Sequence, residues 1–177
     1  TFFNIANAVL FIGFTTYIAR LVEWLIPDRP VTPQRVMLPK YLDDDLVSSP
    51  AVALEAVRSE TRRLGKKVRK MVKDVMPTAI TGTRDELEQL AERDKVIDAL
   101  HSAIIEYLGK ISLGNLTKRQ SAELLEAANI ANGLEQIGDR IATGMVTSAG
   151  KRIDEEVHVS PRTAEYLNES HAIVVET

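Results

Sequence analysis

The chain has 177 residues, a formal net charge of −3 and no cysteine. This length allows one ordinary domain, or a small domain with an appended segment. The weakly negative charge argues against a nucleic-acid-binding protein. The absence of cysteine excludes disulfide frameworks and thiolate metal sites. The three histidines, His101, His158 and His171, are too scattered to form a histidine-rich metal site.

The first predicted element is an apolar helix over residues 1–27. Residues 2–19 include no charged side chain, and the apolar run is long enough to cross the core of a bilayer. Tyr17 and Trp24 lie where a membrane interface would be, and Arg20 can extend its side chain toward it. We therefore predict a transmembrane helix. The alternative is a packed or dimer-forming helix, because asparagines and charged residues are costly in lipid.

The second predicted element is a proline-rich linker over residues 28–49. Prolines at several positions prevent a continuous helix there. Arg29 and Arg35 follow the apolar helix closely. The positive-inside rule then predicts that the chain after about residue 28 is cytoplasmic. The expected location of the helix is the inner (plasma) membrane. The end of the linker, residues 40–50, is predicted to be an extended acidic approach to the next domain.

The remaining residues, 50–177, are predicted to form one helical domain. Apolar residues recur at spacings of three and four over about 50–76, 84–113 and 117–148, which predicts three long amphipathic helices. Their short connections favour an antiparallel bundle. Ser160 and Pro161 form a cap and first-turn pair that begins a fourth helix. The predicted fold class is therefore all-α.

The ends of the three long helices are predicted from proline and glycine. Pro77 and Gly82 are expected to end the first helix, because proline lacks the amide that continues a helix. Gly114 is expected to close the second helix in the left-handed conformation. Thr117 is the predicted N-cap of the third helix, and Gly150 its predicted end.

Polar side chains interrupt the apolar seams of the second and third helices. Asp94 occupies a seam position, and Asp98 lies one turn further along the same helix. Asn132, Glu135 and Asp139 follow at spacings of three and four on the next helix, so they share one face. In a symmetrical hairpin that turns near residue 114, Asp94 lies near Glu135 and Asp98 lies near Asn132.

Carboxylates gathered inside a bundle require a counter-charge. These five residues are therefore predicted metal ligands, and oxygen ligation favours a divalent ion such as Mg, Ca or Mn, or ferric iron. The alternative is a solvent-exposed stripe that pairs with Arg93, Arg140 or the basic first helix. His101, also on the seam, is interpreted as a core histidine with a satisfied hydrogen bond.

Basic residues dominate the first helix from Arg58 to Lys73, interrupted only by Glu60. This run could attract anionic lipid headgroups or an acidic partner. The alternative is a solvated face that balances the acidic second and third helices. Nucleic acid is not expected as a partner, because no aromatic side chain is interleaved for base stacking.

The sequence contains no pattern typical of an enzyme. We find no phosphate-cradling glycine loop, no GxSxG and no HExxH. A helical metalloenzyme is disfavoured because no Glu-x-x-His pair is present. The chain is therefore predicted not to be an enzyme.

Several stretches resemble two known families. Residues 132–139, NGLEQIGD, resemble the NDLERIGD signature of PhoU, the phosphate-transport regulator, although Gly133 and Gln136 replace the usual Asp and Arg. Residues 94–100, DKVIDAL, resemble the companion acidic motif on the preceding helix. The opening residues TFFN and the stretch PKYLD at 39–43 resemble bacterial sodium/phosphate cotransporters, in which a membrane domain ends in a PhoU-like domain.

The resemblance implies a PhoU-like three-helix bundle with the start of a fourth helix. It also implies a cytoplasmic regulatory domain that follows the last membrane helix of a sodium-dependent phosphate symporter. Implied partners are the remaining membrane domain, membrane lipid and further copies of the chain. Asp94, Asp98, Glu135 and Asp139 match the acidic positions with which PhoU proteins hold metal. The alternative is a soluble PhoU-like regulator that binds a protein partner and metal.

Overall fold

The computed structural model describes residues 39–176, and all the regular structure in this range is helical. The elements in chain order are a 3-10 helix at Asp44–Ser48, α1 at Pro50–Thr81, α2 at Arg84–Ser112, α3 at Lys118–Asp139, a π-helical segment at Arg140–Met145, α4 at Val146–Asp154 and α5 at Pro161–Glu176. The predicted all-α class is confirmed for this range. The predicted apolar helix over 1–27 and the linker up to residue 38 lie outside the described residues. Among the helices of residues 39–176, none has the length and apolar character that a membrane crossing requires.

The core lies between α1, α2 and α3. Leu124, Ala127 and Leu134 of α3 are half-buried, whereas most apolar side chains at the predicted three-and-four spacing in α1 and α2 are buried. They form one apolar cluster, whose largest fully buried apolar members are Leu64, Met71, Leu90, Ile97, Leu100, Ile104 and Ile111. These residues recur every three or four positions, so each helix turns one continuous apolar stripe inward. The π-helical segment joins α3 to α4 without a loop, since the flanking Asp139 and Val146 both have right-handed helical backbones.

Reciprocal caps fix the beginnings of α2 and α3. Thr117 accepts the backbone N–H of Gln120, and the Gln120 side chain accepts the backbone N–H of Thr117. Thr83 and Glu86 form the same arrangement at the start of α2. Each of these reciprocal caps, known as capping boxes, satisfies backbone amides that a helix leaves unpaired at its N-terminus. The predicted N-cap at Thr117 is thus confirmed.

The predicted helix ends are less accurate. α1 continues through Pro77 to Thr81, because proline removes only one backbone donor and the buried Ile80 holds the last turn against the bundle. The hydroxyl of Thr78 donates to the carbonyl of Asp74 across the proline turn. The prediction that Pro77 ends the helix is therefore wrong, whereas Gly82 does end it.

Two glycine-based predictions are also wrong. Gly114 does not adopt a left-handed conformation, since α2 ends in a tight turn in which its amide donates to the carbonyl of Ile111. Gly150 lies inside α4, which continues to Asp154 because Ala149 is buried against the bundle. Glu156 is the residue with a positive φ, 53°, in the turn that follows α4.

The segment before α1 is anchored to the bundle. Residues 44–48 form a 3-10 helix where the sequence predicted an extended approach. The Tyr107 hydroxyl donates to the carbonyl of Asp43 at 2.5 Å, and the ammonium of Lys110 contacts both carboxylate oxygens of Asp44 at 2.9 Å. α2 thereby fixes the path of the chain as it enters the domain.

α5 begins at Pro161, as Ser160 and Pro161 predicted. The hydroxyl of Ser160 accepts the backbone N–H of Thr163. The helix packs on α1, where the His171 ring nitrogen lies 2.7 Å from the carbonyl oxygen of Val72. This contact places the C-terminal helix against the outside of the three-helix core.

Candidate functional site

The candidate site is centred on Asp94, where α2 approaches α3. The Asp94 Oδ1 atom is buried and has no hydrogen-bond partner. It faces Gly138, at which an added Cβ would lie only 2.6 Å from this oxygen. A side chain at position 138 would collide with the carboxylate, so glycine permits the two helices to meet around Asp94.

Three further carboxylates surround Asp94. Burial, together with the charges of Asp98, Asp139 and Glu135, raises the pKa of Asp94 to about 6 from its ordinary value of 3.8. Asp98 and Asp139 are exposed, and Glu135 is half-buried. We call these four residues the acidic cluster. Buried carboxyl groups whose charged form is destabilised by their surroundings occur frequently at functional sites.

The fifth predicted ligand, Asn132, forms a hydrogen bond with a residue outside the acidic cluster. Its side-chain oxygen lies 2.8 Å from the Nε2 atom of His101. The symmetrical hairpin predicted Asp98 opposite Asn132, so the observed pairing is displaced by three residues along α2. The sequence locates the middle of the loop, but the helix packing decides how far each helix advances past the other. His101 has a hydrogen-bond partner, as predicted, although the pair lies at the surface.

Within residues 39–176, the basic residues predicted as alternative partners form no ion pair with the stripe. Arg93 pairs with Asp74 of α1. Arg58 contacts Glu123 of α3 at 3.0 Å, so one basic residue of the first helix pairs with an acidic residue of the third. In the described part of the chain, no cation forms an ion pair with the acidic cluster.

The chemistry of the acidic cluster suits a hard cation, since carboxylate oxygens are the preferred ligands of such ions. The orphaned Asp94 oxygen is a free acceptor for one. Within residues 39–176, however, no three acidic or histidine side chains converge closely enough to hold a metal ion together. Side-chain rotation at the exposed Asp98 and Asp139 would be needed to close a shell. Metal binding by these residues thus stays a prediction.

The helix is wound differently immediately after the acidic cluster. The π-helical segment begins at Arg140, next to Asp139, and the Thr143 hydroxyl donates to the Asp139 carbonyl at 2.7 Å. Short π segments inside α-helices occur frequently at functional sites. A π-helix has more residues per turn than an α-helix. The side chains after Asp139 therefore do not continue the three-and-four spacing of the acidic residues.

Sequence reasoning overlooked Glu60, which it treated only as an interruption of the basic run. Glu60 is fully buried. Its Oε2 atom accepts the backbone N–H groups of Lys40 and Tyr41 at 2.8 and 2.9 Å, and its Oε1 atom pairs with Arg63. The seam spacing could have revealed it, because position 60 lies three residues after Val57 and four before Leu64.

Comparison with known proteins finds a domain family that matches most of the bundle. Residues 61–144 match the model of the PhoU domain. The matched stretch runs from α1 to the π-helical segment and encloses the whole acidic cluster. The predicted PhoU-like character of the bundle is therefore supported over this range.

Full-length relatives add a second line of comparison. The chain is 27% identical over 138 residues to the "Putative inorganic phosphate export protein YjbB" of Escherichia coli K12, an alignment that covers 78% of this chain and 25% of the relative. The protein of the same name from Salmonella typhimurium LT2 is 27% identical over 142 residues, covering 79% of this chain and 25% of the relative. The chain thus spans about a quarter of the length of these relatives. No solved structure gives a significant match.

Proposed function

We propose that residues 39–176 form a regulatory domain in phosphate homeostasis. The observation that carries the proposal is the PhoU-domain match at residues 61–144, which encloses a buried, unpartnered carboxylate oxygen at Asp94. The relatives named for inorganic phosphate export support the same physiology. The domain offers no nucleophile and base arrangement, so we assign it regulation and not catalysis.

The finer proposal is that the domain is the cytoplasmic end of a phosphate transporter. In this proposal residues 1–27 are the last transmembrane helix in the inner membrane, and residues 28–49 lead to the domain. The rest of the membrane domain, membrane lipid and a second copy of the chain are its partners. The resemblance favours sodium-coupled phosphate transport, whereas the relatives are named for export. Both move inorganic phosphate, and sodium dependence of the flux distinguishes them.

The acidic cluster is the proposed sensing element of this domain. Asp94 is held where its charge is disfavoured, so a bound proton or cation relieves the repulsion from Asp98, Glu135 and Asp139. These side chains lie on α2 and α3, and a ligand that bridges them would alter how the two helices pack. A change in packing between helices is a common basis of regulation.

Phosphate flux tests the regulatory proposal. The protein that carries this chain would be expressed with Asp94→Asn and Asp98→Asn, and radiolabelled phosphate movement across the cell membrane measured with and without sodium. We expect flux to change by several-fold at equal protein abundance. The matched control, Asp85→Asn with Glu88→Gln, removes two exposed carboxylates of the same helix and should leave flux unchanged. Equal flux in wild type and in a deletion of residues 50–177 would exclude a regulatory role.

Metal titration tests the cation. Purified chain would be monitored by thermal unfolding with Mg, Ca, Mn or ferric ion added singly. We expect at least one ion to raise the unfolding midpoint of the wild type and of the Asp85→Asn, Glu88→Gln control. The same ion should not stabilise the Asp94→Asn, Asp98→Asn variant. If no ion stabilises the wild type, the proposed metal site is excluded.

A further inference from the structure

A stripe of positive charge runs along the outer face of α1. Lys66, Arg69, Lys70 and Lys73 are all exposed, and their spacings of three and four residues place them on one face of the helix. The opposite face is buried in the core. We call these four residues the basic face.

The basic face lies between two points at which α1 is electrically balanced. At one end Arg58 pairs with Glu55 and Glu123, and at the other Asp74 pairs with Arg93. Between Thr61 and Lys73 the sequence contains no acidic residue. Within residues 39–176, no ion pair involves any of the four basic-face residues. Among the described residues, these four charged groups are therefore exposed to solvent and have no acidic partner.

This concentration of charge is local, because the chain as a whole carries a net charge of −3. Like charges three and four residues apart destabilise an isolated helix. Within residues 39–176, no acidic side chain pairs with this face, although acidic residues form ion pairs at both ends of the run. An anionic partner would remove this repulsion.

We propose that the basic face docks the domain onto the anionic surface of a membrane. Three of the four residues are lysines, whose compact charges on flexible stems suit a diffuse layer of lipid phosphates. No aromatic side chain lies between Arg58 and Lys73 to stack on nucleic-acid bases. The choice of lipid over an acidic protein rests on the proposed function, since attachment through residues 1–27 would hold the domain beside the bilayer at high effective concentration.

Docking can be measured on the full chain by energy transfer to the membrane. The chain has no cysteine, so Thr81→Cys provides a single site for a fluorophore, at the end of α1 beyond the basic face. Acceptor-labelled vesicles would be made of phosphatidylcholine alone, or with about one quarter phosphatidylglycerol. We expect stronger energy transfer in the anionic vesicles, and its loss at about 1 M salt, where charges are screened within about 3 Å.

Charge-matched variants locate the contact. Lys66→Gln, Arg69→Gln and Lys70→Gln together should weaken docking roughly 100-fold, from the usual contribution of about 1 kcal/mol for each cation near an anionic surface. Lys118→Gln, Lys151→Gln and Arg162→Gln remove three exposed cations elsewhere and should leave docking unchanged. Equal transfer in both vesicle types, or equal losses in both triple variants, overturns the proposal. So does a change in sedimentation mass of the first triple variant with unchanged transfer, since a second copy would then be the partner.

Membrane attachment is scored separately, by alkaline washing of the vesicles. A chain that resists extraction from both vesicle types is attached through its apolar segment, whatever the docking result. A chain that is extracted, yet binds anionic vesicles through the basic face, supports docking and contradicts the attachment in the proposed function. A chain that binds neither vesicle type overturns the docking proposal.

Discussion

Glu60 and Asp94 are both acidic residues on the inward sides of the bundle helices, but their surroundings are opposite. Glu60 is fully buried and accepts hydrogen bonds from the amides of Lys40 and Tyr41, in addition to its pair with Arg63. The buried oxygen of Asp94 has no donor, and the residues that act on its charge are other carboxylates. The buried carboxylate of Glu60 on α1 thus has hydrogen-bond donors, whereas the buried oxygen of Asp94 on α2 has none.

The difference separates a structural carboxylate from a candidate functional one. A buried charge that is paired and fully hydrogen-bonded fixes the positions of its partners, and Glu60 fixes the chain at its entry to the domain. A buried acceptor without a donor is uncommon in folded proteins and calls for an explanation. In Asp94 the explanation we favour is a role as an acceptor for a proton or a cation.

Removal of Glu60 should have the largest effect. Glu60→Ala leaves two backbone amides without their acceptor and removes the charge opposite Arg63, so we expect a loss of about 3 kcal/mol in the free energy of unfolding. Urea unfolding measures it. Glu55→Ala, which removes an exposed carboxylate of the same helix, should cost less than about 0.5 kcal/mol. Equal losses would show that Glu60 is not the anchor.

The next largest effect concerns the glycine that faces Asp94. Gly138→Ala brings a methyl group within 2.6 Å of Asp94 Oδ1 and 3.1 Å of Ile97, so we expect a loss of about 2 kcal/mol from overpacking. Gly133→Ala, in open space on the same helix, should instead stabilise by about 0.5–1 kcal/mol. Thermal unfolding of the two variants side by side tests this; a shift of the same sign in both would contradict the close contact.

The third prediction concerns pH. Because the pKa of Asp94 rises to about 6 in the folded protein from 3.8, the folded state binds more protons than the unfolded state between these values. The Asp94 contribution to stability is therefore most favourable below about pH 4 and declines as the pH rises through 6.

Asp94→Asn removes this dependence and should stabilise the metal-free protein at pH 7 by about 1 kcal/mol, allowing for solvent screening. Urea unfolding between pH 4 and 7 compares the variant with the wild type. A difference between the two proteins that does not change with pH would refute the raised pKa.

The smallest expected effect is at the edge of the acidic cluster. Asn132→Ala removes the exposed hydrogen bond to His101 and should cost about 0.5 kcal/mol. Asn129→Ala, one turn earlier on the same exposed side of α3, should be close to neutral. If Asn132→Ala alone also abolished metal stabilisation, Asn132 would belong to the cation site despite its bond to His101.

The elements of the domain were largely predictable from local patterns. The 3.6-residue periodicity located the long helices and most of the core, and Thr117 marked a helix start, because these features depend on neighbours in the chain. Helix ends were less predictable at Pro77 and Gly150, where buried Ile80 and Ala149 extend the helices beyond a local stop signal. Tertiary packing outweighs a single unfavourable residue in both places.

The sequence by itself determined the fold class, the inward face of each helix and the identity of the acidic residues, since helical periodicity alone assigns a side chain to a face. Only the tertiary structure decided how α2 advances past α3, and therefore that His101 and not Asp98 meets Asn132. It also decided that Glu60 is satisfied and Asp94 is not. Hydrogen-bond donors arrive from distant parts of the chain, and the packing of one helix against another cannot be read from either helix alone.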